Sequence, residues 1–193
     1  ETSVPDQNLF CVRFLRHYTW DLGYGTRTLM RVSYGHPRLP RNPLEQSQFR
    51  ATMQRTFPRL DDDGVLRLWK IADAAMHQSH GTMIVFSEDA AGEAVRLGQQ
   101  GAPVEPMRPD REAVRSLTSV DGAILCDGDG VFHAFGVILD GEATASGDAA
   151  RGARYNSGVR YTGSTKVPCA ALVVSEDGTV DLLTNAATAP PQA

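Results

Sequence analysis

Three apolar, strand-length runs in the second half of the chain each meet a polar turn, and this layout restricts the fold more than any other feature. Val120-Asp121-Gly122-Ala123-Ile124-Leu125 enters a run through Asp-Gly. Phe135-Gly136-Val137-Ile138-Leu139-Asp140-Gly141 leaves one through Asp-Gly, and Ala171-Leu172-Val173-Val174-Ser175-Glu176-Asp177 leaves one through Ser-Glu-Asp. Short apolar runs bounded by turn formers read as buried strands. Between the second and third lies Arg151-Gly152-Ala153-Arg154-Tyr155-Asn156-Ser157, a cationic turn leading into an expected helix. Carboxylates at strand ends, with arginines at a helix start, suit a site for a metal-bound nucleotide.

The elements around these runs predict the architecture. Leu29–Tyr34 alternates as a strand, and Gln46–Phe57 reads as a helix stopping before Pro58. Asp61-Asp62-Asp63 supplies a cap for a helix from Val65 to about His80, whose apolar residues recur on one face. Thr82–Phe86 is a short buried strand followed by a polar turn, and Gly101–Pro109 is a Pro-rich crossover before a helix around Arg111–Thr118. Asp127-Gly128-Asp129-Gly130 joins the strands Gly122–Cys126 and Val131–Leu139 as a hairpin. A turn and helix at 148–163, a strand at 169–174 and a second Asp-Gly turn into Thr179–Leu183 follow. Helices alternating with strands, some in hairpins, imply an α/β layer fold: a central mixed β-sheet flanked by helices. The expected division is a basic N-terminal segment, 1–60, a core domain, 61–183, and a flexible Ala- and Pro-rich tail, 184–193.

Bulk composition sets outer bounds. The 193 residues are about one domain's worth, and 41% hydrophobic content supports a buried core. A net charge of −4 does not suggest a nucleic-acid-binding surface, although residues 1–60 carry nine Arg against four acids. Cys11, Cys126 and Cys169 lack zinc or disulfide spacing. No apolar run reaches the length of a membrane span and no signal-peptide layout is present, so a cytoplasmic protein is expected. A start at Glu1 without Met is what a piece of a longer protein with a fused partner domain would show.

Individually the candidate residues are weak signals. Asp121 can serve a cation or a hydroxyl, and Gly122 and Ala123 would let a flat base approach the backbone. Gly152 and Arg154 offer exposed N–H groups and a phosphate fork at a helix start. Ser175, Glu176 and Asp177 are also ordinary turn formers. Asp127 and Asp129 lack calcium-loop spacing and read as hairpin residues. His77 and His80 read as capping or surface residues, and His133 has no partner visible in the sequence.

As an ordered set, these pieces resemble the diadenylate cyclase domain found in DNA-integrity scanning proteins and related bacterial cyclases. The resemblance runs from about Val65 to Leu183. It is carried by Gly81-Thr82-Met83-Ile84-Val85, Asp121-Gly122-Ala123, Leu139-Asp140-Gly141, Gly152-x-Arg154 and Ser175-Glu176-Asp177. It implies a domain that joins two ATP molecules into cyclic di-AMP, a second messenger, with release of pyrophosphate. Two subunits would face each other, with Mg2+ or Mn2+ neutralising phosphate charge. Asp121 and Asp177 would hold the metal and, with Arg154, form the catalytic set. Gly122, Ala123, Leu139, Asp140, Gly152, Arg154, Asn156 and Ser175 would line the nucleotide, the backbone near Leu139 reading adenine.

One motif departs from the family. Where the family has Gly-Thr-Arg-His-Arg, this chain reads Gly152-Ala153-Arg154-Tyr155-Asn156. Each lost charge-assisted contact costs roughly 1.5–3 kcal/mol, on the order of 10–100-fold in rate if it acts in the transition state. Arg151 and Arg160 are the candidate substitutes. Two readings follow: an ATP-binding cyclase, or a catalytically degenerate module that senses a nucleotide within a larger protein.

Overall fold

The computed structural model describes residues 9–25, 27–38, 44–78, 80–141, 151–176 and 178–185. It divides into two compact units at Pro43/Leu44. The first is a four-stranded antiparallel sheet in the order β1-β2-β3-β4, from Phe10–Arg16, Thr19–Tyr24, Arg27–Ser33 and His36–Arg38. Asp21 lies opposite Arg31 on adjacent strands and takes its guanidinium in a two-pronged contact at 2.7 and 3.0 Å. Only the third of these strands is evident from alternation in the sequence.

The second unit is built on a six-stranded mixed sheet in the order β10-β9-β5-β7-β8-β6. The strands are β5 (Thr82–Ser87), β6 (Ala102–Met107), β7 (Ala123–Cys126), β8 (Phe132–Val137), β9 (Cys169–Val174) and β10 (Val180–Thr184). The helices are α1 (Gln46–Thr56), α2 (Asp62–Met76), α3 (Ala90–Arg96), α4 (Arg111–Leu117) and α5 (Ala153–Ser164). The expected α/β architecture is thus present. Asp61, Asp89 and Asp110 cap α2, α3 and α4, accepting from the N–H three residues on at 2.7, 3.0 and 2.7 Å.

Side-chain alternation in β5 separates two cores. Ile84 and Phe86 pack with α1, α2 and α4 through Phe49, Met53, Leu68, Ile71 and Val114. Met83 and Val85 face the layer of α3 and α5 with Ala94, Leu97, Tyr161 and Val173. Gly158 lets α5 lie close to the sheet, since a Cβ there would stand 3.2 Å from Val173 and 3.0 Å from Leu183. Phe49 is fully enclosed and meets Phe86 edge-on. This is why α1 belongs with the second unit, and the division falls at Pro43/Leu44 rather than at 60/61.

Three local features differ from the sequence expectations. The Pro-rich stretch thought to be a crossover is strand β6, which holds Pro103 and Pro106 because it lies at the sheet edge. The turn after β5 is followed by α3. Thr184 and Asn185 belong to the folded unit. Asn185 accepts from Cys169 N–H at 3.0 Å and donates to the Thr165 and Val167 carbonyls at 3.2 and 2.7 Å. Residues 186–193, the rest of the expected tail, lie outside the described residues. The Asp127–Gly130 hairpin forms as read: Asp127 accepts from the N–H of Asp129 and of Val131, both at 2.9 Å. Its second oxygen meets His133 Nε2 at 2.8 Å, giving that histidine a partner. Burial pushes the Cys126 thiol well up and that of Cys169 to about 12, which leaves both as apolar packing groups. Among the described residues, no helix is long and apolar enough to cross a membrane.

Candidate functional site

Sheet register gathers the polar turns at one end. β5 and β7 are parallel with Met83 opposite Ala123, and β5 and β9 are antiparallel with Thr82 opposite Val174. Gly81, Asp121-Gly122 and Ser175-Glu176 therefore lie just beyond neighbouring strand ends. The start of α5 reaches the same place. Arg154 donates to Asp121 Oδ1 at 2.6 Å and stands 3.8 Å from Glu176 Oε1. Its guanidinium lies over Gly81, where a Cβ would come within 2.8 Å of Nη1. Asp121 is 95% exposed, Glu176 60% and Arg154 30%, so the cluster faces solvent.

The Asp-Gly-Ala backbone is fixed from within. Gly122 has φ +106°, and a Cβ on it would lie 2.5 Å from the Gly136 carbonyl carbon. Gly136, itself at φ +65°, sits in a bulge: Ala123 pairs with Val137 and Leu125 with Ala134, leaving β8 one residue longer. Close passage of two backbones accounts for Gly122 without an approaching base. Ala123 is fully buried in the core facing α5.

The helix-start turn shows what becomes of the altered motif. Arg151 forms an ion pair with Asp181 of β10, each side chain only about a tenth exposed, and its guanidinium carbon lies 4.0 Å from the centre of the Tyr155 ring. Asn156 turns its amide back to donate to the Arg151 and Gly152 carbonyls at 3.0 and 3.3 Å. Arg160 is exposed farther along α5, beside Gly141. Of the two candidate substitutes, Arg151 is therefore already engaged. Gly152 precedes the helix, and among the described residues nothing lies within 4 Å of a Cβ placed on it.

Not every expected residue joins this cluster. Leu139 is buried in the core facing α5, and Asp140 binds Arg96 of α3 at 2.5 and 3.0 Å. Arg96 also grips Glu93 at 2.8 and 2.7 Å, and Tyr161 donates to Glu93 at 2.7 Å. The Arg96 guanidinium holds the Glu93 and Asp140 carboxyls below their usual range, while burial, with the Glu93 carboxylate beside it, drives the Tyr161 phenol up. These residues border a cavity of about 510 Å³ that also takes in Gly141, Ser164 and Lys166. Ser175 lies in the β9–β10 turn, its N–H on the Thr179 carbonyl at 2.8 Å. Asp177 lies outside the described residues. Glu176 and Gly81, to which the resemblance gives no role in the site, stand in the cluster with Arg154. Their placement follows from strand register, which the sequence alone does not fix.

Asp177, expected with Asp121 to hold the metal, lies outside the described residues. Among the described residues, no group of three or more His, Cys, Asp or Glu side chains could hold a metal ion. The two carboxylates that converge, Asp121 and Glu176, do so on the Arg154 guanidinium.

Comparison with known proteins agrees with the arrangement. Two solved structures share the fold. A double mutant of DacA from Staphylococcus aureus superposes with a TM-score of 0.53 at 16% identity, covering 65% of this chain and 86% of that one. A hypothetical membrane spanning protein from Bacillus cereus does so with a TM-score of 0.53 at 17% identity, covering 72% and 67%. No curated protein matches significantly. The sequence profile of the DAC family, described as DisA bacterial checkpoint controller nucleotide-binding, matches residues 70–187. With that match spanning more than half its length, this chain belongs to the DAC family of diadenylate-cyclase-like nucleotide-binding domains.

Proposed function

We propose that this domain holds an adenine nucleotide at the Asp121–Arg154–Glu176 end of its sheet and does not condense it, serving as the reading module of a larger protein. The carrying observation is the state of the helix-start turn: Arg151 is engaged by Asp181 and Tyr155, and Asn156 by backbone carbonyls. Only Arg154 is left there to meet phosphate, joined by the first N–H groups of α5. The resemblance assigns adenine to the backbone near Leu139, where Asp140 and Gly141 are the exposed residues; Gly122 lies beside the nucleotide, and Ser175 contributes its hydroxyl.

A second reading is favoured by the exposed Asp121 carboxylate: a cyclase acting as a face-to-face dimer. There each ribose 3′-hydroxyl attacks the α-phosphate bound by the opposite subunit. Asp121 takes the hydroxyl proton, and pyrophosphate leaves toward Arg154. Catalysis of this kind consists of positioning and charge stabilisation, which a turn poor in free cations supplies weakly. Incubating concentrated protein with ATP and Mn2+, with mass spectrometry for cyclic di-AMP and parallel calorimetry with adenosine, AMP and ATP, separates the two. Nucleotide binding without product is expected. Product that disappears in Asp121→Asn would establish the cyclase instead.

A further inference from the structure

We infer that Arg154 occupies the place a divalent cation takes in a metal-dependent nucleotide site, so that this site binds, without metal, an adenine nucleotide carrying one phosphoryl group per nucleoside in preference to a triphosphate. The inference rests on the nucleotide-binding reading above.

Geometry is the first support. The guanidinium lies over the Gly81 backbone, with Asp121 Oδ1 at 2.6 Å and Glu176 Oε1 at 3.8 Å. Two carboxylates thus converge on one cationic group, as they would on a bridging ion. Guanidinium has five N–H donors in a planar fork, so donors remain for one phosphate after these contacts.

Charge is the second support. Arg154 against Asp121 and Glu176 leaves the cluster net negative before any ligand arrives. Arg151 is offset by Asp181, and neutral Asn156 stands where the family has an arginine. Lys166 borders the Arg96 cavity instead. One phosphoryl group finds Arg154 and the α5 N-terminus. Each additional one brings negative charge while, among the described residues of the helix start, Arg151 is already engaged by Asp181, and like charges in a partly desolvated cleft repel.

The test is calorimetric titration of the full chain, in EDTA and again with Mn2+, using adenosine, AMP, cyclic diadenylate and ATP. In EDTA, AMP or cyclic diadenylate should bind more tightly than ATP by about tenfold or more. Mn2+ should change AMP affinity less than about twofold. Whichever of AMP and the dinucleotide binds better identifies a monoester or a diester as the preferred phosphate, and either result agrees with the inference. Asp121→Asn, at a fully solvated side chain that folding does not need, should raise ATP affinity in EDTA by removing an opposing charge. Tighter binding of ATP than AMP in EDTA would overturn the inference and leave nucleotide binding intact. So would ATP binding that needs Mn2+ and is lost in Asp121→Asn. Failure of all four ligands to bind would overturn both.

Discussion

Two arginines in this domain each stand between two carboxylates, and their surroundings give them opposite roles. Arg96 holds Glu93 with two bonds and Asp140 with two more, and the buried Tyr161 hydroxyl completes the set on Glu93. Glu93 has little solvent contact and its donors and acceptors are matched. Arg154 makes one close contact to Asp121 and a longer one to Glu176, all in partial or full contact with water. A matched network around a buried carboxylate contributes to folding, and losing one partner strands a charge. Exposed ion pairs contribute about 0–1 kcal/mol, so Arg154 can exchange its partners for a ligand at small cost. Burial of the partner carboxylate tells the two arginines apart: Glu93 is 8% exposed and Glu176 60%, while Arg96 itself is 45% exposed and Arg154 30%.

The strongest way to break this comparison is to disturb the rigid backbone beneath the exposed cluster. Gly122→Ala puts a Cβ against the Gly136 backbone at a φ of +106°. It should cost about 3 kcal/mol or more of stability, read as a lower urea midpoint with an unchanged slope. A loss under about 0.5 kcal/mol, the range of an ordinary surface change, would show that the Asp-Gly-Ala turn is pliable and that its glycine serves a ligand.

Next in size is Glu93→Gln, which leaves Arg96 without its principal partner. A loss of about 2 kcal/mol is expected in urea unfolding, against under about 0.5 kcal/mol for Glu176→Gln, at an exposed carboxylate. Equal effects would erase the distinction drawn from burial.

The same contrast predicts a pH dependence of about 1 kcal/mol, allowing for solvent screening at the half-exposed Asp140. Glu93 and Asp140 have folded-state pKa values below their unfolded ones, chiefly because Arg96 binds both. Their contribution is therefore fully present above the ordinary carboxylate range and is lost as pH falls through the lowered values. Unfolding measured from pH 7 to about 3 should show this extra acid sensitivity in the natural chain and not in Arg96→Met. An identical profile in both would sever the network from acid stability.

What the sequence disclosed about these two arginines follows from the range of the interactions. Asp61 before an apolar helical face and Asp127-Gly128 between apolar runs are local signals, and α2 and the β7–β8 hairpin form accordingly. β6 was hidden because Pro103 and Pro106 argue against a strand unless it lies at an edge, and edge position is a property of the whole sheet. At the site, Asp121 and Arg154 were legible as turn residues and do meet. Asp140 was read as nucleotide-lining from its motif, yet its carboxylate joins a Glu93–Arg96 pair on a helix too short to show periodicity. The Arg151–Asp181 pair joins a turn to a strand whose neighbour is set only by the β9–β10 register. Long-range pairing decided which arginine was spoken for.

The smallest expected stability change belongs to Arg154, the residue proposed to meet phosphate. Arg154→Gln keeps a hydrogen-bonding amide near Asp121 and should shift unfolding by under about 0.5 kcal/mol. It removes the one cation that the cluster directs at phosphate, leaving Asp121 and Glu176 to repel it. AMP affinity should fall by about tenfold, equivalent to about 1.4 kcal/mol, while adenosine affinity stays within about twofold. The difference between those two ligands isolates the phosphate from the base, so it distinguishes a direct contact from a general loosening of the pocket. Equal loss for both would place Arg154 with Arg96, as a residue that holds the fold and not the ligand.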